Sequence, residues 1–147
     1  EFTGAMPSGK PEDRPLRWIR YDVSENGFGW VNINELAKHR GPPGQLFYLM
    51  THVHVPTDLF CILEAKNDDG IKIWLGKDLI LNEHRHSRGG SFSTYNRKIK
   101  LKNGWNRILI KAEKNYGHWN RSGVMMRITD EKGSPVKGLQ CSASPTI

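Results

Sequence analysis

Two carboxylates stand side by side in Asn67-Asp68-Asp69-Gly70, directly before the apolar alternation of Ile71, Ile73 and Leu75. Carboxylate oxygens are hard donors of the kind that Ca²⁺ gathers six to eight at a time. Asp68 and Asp69 are therefore candidate Ca²⁺ ligands, with Asn67, a carbonyl or a distant loop completing the shell. The same four residues also make an ordinary turn, since Asp and Gly favour tight reversals by themselves. A second constellation is Tyr116-Gly117-His118-Trp119-Asn120. An indole face suits the axial C–H patch of a sugar ring, and polar neighbours suit its hydroxyls. Trp119, Tyr116, His118 and Asn120 are thus candidate ligand-binding residues; the other reading of Trp119 is a plug at the end of a domain. Arg88, in the basic stretch His84-Arg85-His86-Ser87-Arg88, is suited to a carboxylate or sulfate. Otherwise that stretch is a solvated loop. Trp74 falls on the opposite side of its strand from Ile73 and is a further candidate contact, whereas Trp105, following Gly104 at a strand start, is read as core.

Histidine and catalytic chemistry find less support. His52/His54 and His84/His86 are two His-x-His pairs, and on strands each pair shares one face. That spacing is workable for Zn²⁺ or Cu²⁺, but no acidic or cysteine spacing reinforces it, so surface histidines are the reading. The chain has no Gly-x-Ser-x-Gly elbow, phosphate loop or His-Glu-x-x-His helix. Its carboxylates are scattered, while a glycosidase needs two of them facing across a cleft. A binding role is expected, not catalysis.

The elements that must hold these residues are short and extended. Phe47, Leu49, Thr51, Val53 and Val55 share one face, Leu59–Lys66 is apolar on both faces, and Ile71, Ile73 and Leu75 alternate with Lys72 and Trp74. Leu16–Tyr21, Phe28–Ile33, Leu79–Leu81, Lys98–Lys102, Trp105–Glu113 and Gly123–Thr129 also read as strands, and Asn34–His39 as a single helical turn. Regularly spaced strands with turn signals between them predict an all-β antiparallel sandwich of jelly-roll type with eight or nine strands. Residues 1–15 read as a cloning scar and linker, 16–139 as the sandwich, and 140–147 as a disordered tail.

The 147 residues carry a formal net charge of +7, with seven cations in Arg97–Lys114 alternating with apolar residues. Such a surface favours anionic partners, including uronate-containing or sulfated polysaccharide. It equally suits strands dressed in lysine. Nucleic-acid binding is disfavoured because the strand count is too high for an oligonucleotide-binding barrel and no signature appears. No apolar run is long enough to span a bilayer. Cys61 sits in an apolar run and is expected as a buried thiol, with a bridge to Cys141 left open.

Three segments carry a resemblance: Asn67 to Leu75, Gly104-Trp105-Asn106-Arg107-Ile108-Leu109-Ile110-Lys111, and Trp119 with Arg127-Ile128-Thr129-Asp130. From about Gln45 to Asp130 the chain resembles the anthrax-protective-antigen-type β-sandwich of lectins, adhesins and glycosidases. It also resembles the galactose-binding-like jelly-roll modules appended to bacterial polysaccharide-degrading enzymes. The resemblance implies a non-catalytic β-sandwich, and with the loop chemistry above the expectation is a monomeric carbohydrate-binding module, accessory to a larger secreted or cell-surface bacterial protein. In calcium-dependent lectins of the first group, paired loop aspartates hold the Ca²⁺ that binds sugar hydroxyls, a role that would fall on Asp68 and Asp69. The sequence departs from relatives in Gly76-Lys77-Asp78 after Leu75, and in the aromatic character of Tyr116 to Trp119. An interaction sandwich docking onto a neighbouring domain is the reading from another class.

Overall fold

The computed structural model describes residues 2–5, 18–23, 29–33, 45–84, 92–114 and 122–144. Among them are eleven strands: β1 (Phe2–Ala5), β2 (Trp18–Tyr21), β3 (Trp30–Asn32), β4 (Gln45–Val55), β5 (Leu59–Asn67), β6 (Ile71–Leu75), β7 (Asp78–Glu83), β8 (Ser93–Leu101), β9 (Gly104–Lys114), β10 (Gly123–Thr129) and β11 (Gln140–Ser142). They form an antiparallel β-sandwich. One sheet has seven strands in the order β2-β1-β4-β9-β6-β7, with β11 also on β4; the other has four in the order β3-β10-β5-β8.

The period-2 alternation of the sequence creates the interior. Phe47, Leu49, Val53 and Val55 of β4, Ile71 and Ile73 of β6, and Ile108, Ile110 and Ala112 of β9 are buried from one side. Cys61, Leu63 and Ala65 of β5, Ile99 and Leu101 of β8, and Val124 of β10 meet them from the other. Register fixes which side chains share a face. The longest pairing runs from Gln45↔Lys114 to Val55↔Gly104 between β4 and β9.

Two expectations need correction, both at the edges of the chain. Phe2–Ala5, read as part of a scar and linker, is a strand bonded to β2 and β4; Gln140–Ser142, read as disordered tail, is a strand on β4, and Ala143 behind it is buried. The reason is the length of β4. Its eleven residues pair along one edge with β9, and the other edge leaves main-chain donors and acceptors that need partners. β1 takes Tyr48 to Met50 and β11 takes His52 to His54. These two strands raise the count from nine to eleven. The helical turn read at 34–39 lies outside the described residues. Cys61 and Cys141 are free, on strands of different sheets, and burial pushes the Cys61 thiol up to about 11.

One end of the sandwich is closed by turns that bond to each other. Asp58 accepts the Asn103 main-chain N–H at 2.9 Å and ion pairs with Lys100 and Lys102, each at 3.2 Å. The Asn103 bond, then the two lysines, lower its carboxyl to about 2. A depressed carboxylate pKa stabilises the fold above the unfolded-state value of about 3.9, and that contribution disappears as pH falls toward 2. Acid titration of the melting temperature should therefore show a shallower fall between pH 4 and 2 for Asp58→Ala than for wild type. Parallel curves would mean the contacts contribute nothing in solution. At the same end Asn106 accepts the Lys102 N–H at 2.9 Å and donates to the carbonyls of Lys102 at 2.7 Å and Gly104 at 3.0 Å. Gly104 takes φ +90° to make this turn, a conformation costly for residues with a Cβ. The Gly104-Trp105-Asn106 motif thus holds a turn together.

Candidate functional site

The opposite end of the sandwich differs in kind. Following each strand toward it, the inward-facing series changes from apolar to polar. In β5 the run Cys61, Leu63, Ala65 continues to Asn67 and on to Asp69; in β9, Ile108, Ile110, Ala112 continues to Lys114; ahead of Val124 stands Ser122. Of the six polar or charged residues buried among those described, four are these: Asn67, Asp69, Lys114 and Ser122. Buried polar groups are unfavourable unless satisfied, so their collection at one end calls for a reason.

The turn Asn67–Gly70 is the centre of this end. The Asn67 side-chain amide donates to the Asp69 carbonyl, while its Oδ1 is buried with no hydrogen-bond partner among the described residues. Asp68 Oδ1 accepts the Gly123 main-chain N–H at 3.3 Å, joining the turn to the start of β10. Burial, and then the adjacent Asp69 charge, raise the Asp68 carboxyl above its ordinary value; bonds from Gly123 and Ser122 oppose that shift only in part. Gly70 is pinned by its carbonyl, which accepts the Glu113 N–H at 2.9 Å. Across the interior, Lys114 is buried and desolvation draws its ammonium below the usual lysine range. Gln45 Oε1, on the residue paired with Lys114, is a second buried acceptor without a partner among the described residues.

These groups suit a hard cation in part. The described residues offer two carboxylates and an orphan amide oxygen, and a divalent ion would relieve both the desolvation of Asp68 and its repulsion by Asp69. Ca²⁺ requires more oxygens than these. Among the described residues no group of three or more His, Cys, Asp or Glu gathers for a metal, so the remaining ligands would be carbonyls or residues outside the described set.

Beside the turn lies an aromatic pair that was not among the expected site residues. Trp30 of β3 meets Phe92 edge-on with ring centroids 5.0 Å apart, and Phe92 is 43% exposed. The Trp30 ring lies against Gly123, the residue whose N–H reaches Asp68. An indole, an exposed phenyl ring and a carboxylate turn are thus brought to one place.

Of the residues expected to form a site, Asp68 and Asp69 are here and Trp74 is not. Trp74 is half-buried on the outer face of the seven-stranded sheet, paired with Leu109 and Leu79. Trp105, read as core, is 38% exposed on that same face, edge-on to His54 at 5.1 Å. Arg88, Tyr116, His118, Trp119 and Asn120 lie outside the described residues. The chain leaves the described set at His84 and Lys114 and returns at Phe92 and Ser122, all at the polar end. His52 and His54 share the outer face of β4, while His84 stands at the other end with Nδ1 3.2 Å from Glu113. A pocket of about 60 Å³ beside that pair, bordered by Leu46, Gly70, Lys72 and Lys111, is too small for a sugar ring.

No protein-family model matches the chain, and no curated protein does. Among solved structures it is similar to a β-glucosidase from Kluyveromyces marxianus in complex with glucose, at 14% identity and a TM-score of 0.48, over 88% of this chain and 15% of that one. The chain therefore spans a small part of that protein's length, and a likeness so distant carries no argument about function.

Proposed function

We propose that this sandwich is a non-catalytic carbohydrate-binding module that takes a glycan at its polar end, with Ca²⁺ at Asp68 and Asp69. The observation that supports it is the placement of the Asn67–Gly70 turn, with a desolvated carboxylate and an orphan amide oxygen, beside the partly exposed Trp30–Phe92 pair. Calcium, when bound, supplies a point of coordination for vicinal sugar hydroxyls. The aromatic rings offer flat apolar surface for the C–H face of the same sugar, and Asn67 and Asp68 hold the turn in place. Trp119, Tyr116, His118, Asn120 and Arg88 are proposed to complete the site from the segments that return to this end. The module would be of the protective-antigen or galactose-binding-like kind and would keep a linked enzyme or adhesin of a secreted or cell-surface bacterial protein near its glycan.

A glycan array probed with and without chelator tests this reading. Saturable binding to one glycan class, lost in chelator, is the expected result; silence in both conditions would overturn it. Within that assay Trp119→Ala should weaken binding by roughly ten- to hundredfold. That is the effect of about 1–3 kcal/mol for a lost stacking aromatic, by analogy with bases on aromatic side chains. Its melting temperature should hardly move. If Trp119→Ala unfolds the domain and the folded remainder still binds, the indole is a plug.

A further inference from the structure

The outer face of the seven-stranded sheet is apolar where solvent-facing strands are usually polar. Across β4, β9, β6 and β7 a transverse row consists of Met50, Leu109, Trp74 and Leu79. Strands lie about 4.8 Å apart, so this row is roughly 14 Å long. Leu79 is 48% exposed at one end of it. One step toward the polar end the paired residues are Tyr48, Lys111 and Lys72; one step the other way they are His52 and Arg107. Cations therefore flank the row on both long sides.

These cations form no ion pair among the described residues, unlike those of the other sheet. On the four-stranded sheet Lys66 and Arg127 pair with Glu64, Lys98 with Glu131, and Lys100 and Lys102 with Asp58. Among the described residues no carboxylate lies within ion-pair distance of Lys72 or Lys111, and the guanidinium of Arg107 donates only to the Gly76 carbonyl, at 3.1 Å. Glu83 and Glu113, which border the same small pocket as Lys72 and Lys111, face Arg97 at 3.0 Å and His84 Nδ1 at 3.2 Å instead. An apolar strip with unpaired cations on both sides is complementary to a narrow ligand carrying apolar faces and regularly placed negative charge.

We propose that this face is a second glycan-binding surface, independent of calcium, which takes an anionic polysaccharide of the polyuronate class lying across the strands. A uronate residue has an apolar C–H face for the row and a carboxylate at its edge for Lys72, Lys111 or Arg107. A second copy of the chain is disfavoured as occupant. A two-fold pair would set the cationic rims against each other, on a chain of net charge +7.

The test is titration of the full chain with polygalacturonate and with alginate, in EDTA, so that the calcium site at the polar end is silent and the two readings fail separately. The wild type should bind at least one of them, less tightly as salt rises. The double variant Lys72→Ala/Lys111→Ala should lose about tenfold in affinity with an unchanged melting temperature. Leu79→Glu, which places a negative charge on the row, should do the same. Lys98→Ala/Lys100→Ala on the opposite sheet should stay within twofold of wild type. Absence of binding to both polymers in EDTA would overturn the proposal, whatever the array shows with calcium. Equal losses in the two lysine pairs would also overturn it, reducing the effect to overall charge. So would concentration-dependent self-association in sedimentation that Leu79→Glu abolishes, which would assign the face to a second copy.

Discussion

Gly123→Ala should be the most damaging small substitution among the described residues. A Cβ built on Gly123 falls on the Trp30 ring and on the Val31 carbonyl oxygen, inside any tolerable contact with either. Rotation of Trp30 alone would clear the ring, but the Val31 oxygen belongs to the backbone of β3, which is paired to β10 through Gly123↔Asn32 and Val124↔Val31. Relief thus requires the two strands to part. Overpacking of this kind costs about 1–3 kcal/mol, and the backbone obstacle puts the expectation at the upper end. For a chain near this size that is roughly 6–12 °C in melting temperature. The Gly123 N–H to Asp68 is displaced with it, so the polar end should loosen as well. A thermal melt of Gly123→Ala checks this: Gly123 is not among the glycines with positive φ, so the loss reports the collision and not backbone strain. A melting temperature within about 2 °C of wild type would mean that β3 and β10 absorb the methyl group.

Asp68→Asn should gain stability and lose its response to calcium. The carboxyl pKa of Asp68 is raised, first by burial and then by Asp69. The folded protein therefore holds that proton more tightly than the unfolded chain does. Stability falls as pH rises from the ordinary aspartate range through the raised value, and stays lower above it. Asparagine has no proton to lose and can still accept the Gly123 N–H. In chelator at pH 7 the variant should melt above wild type, and the difference should vanish in acid. With calcium at a hundred times its dissociation constant the wild type should gain about 2.7 kcal/mol, or roughly 5–11 °C, and the variant far less. Wild-type melts that coincide in calcium and chelator would leave Asn67–Gly70 as a turn only.

The strands of the core were legible because burial on one side imposes alternation, and β4, β6 and β9 alternate without interruption. The same parity, counted outward from Ile108 and Ile110, would have placed Trp105 outside and Lys114 inside. Trp105 was misread because its neighbour Gly104 drew attention to the turn and away from the strand's phase. The terminal strands were not legible, since what holds Phe2–Ala5 and Gln140–Ser142 is an unpaired edge of β4 and not their own pattern. The site was legible in halves. Asp68 and Asp69 stand out locally, but Gly123 reaches Asp68 from 55 positions away through the β5–β10 register, and nothing local announces that.

The sharing of one edge of β4 has a further consequence. Reading along that edge, Gln140, Cys141 and Ser142 face His54, Val53 and His52, and then Thr3, Gly4 and Ala5 face Met50, Leu49 and Tyr48. β11 and β1 run in the same direction along that edge, one after the other, and act as a single broken strand, with β2 beyond β1. Register on β4 thus governs both short strands at once: a change that slips β4 by one residue would strip partners from β11 and from β1 together.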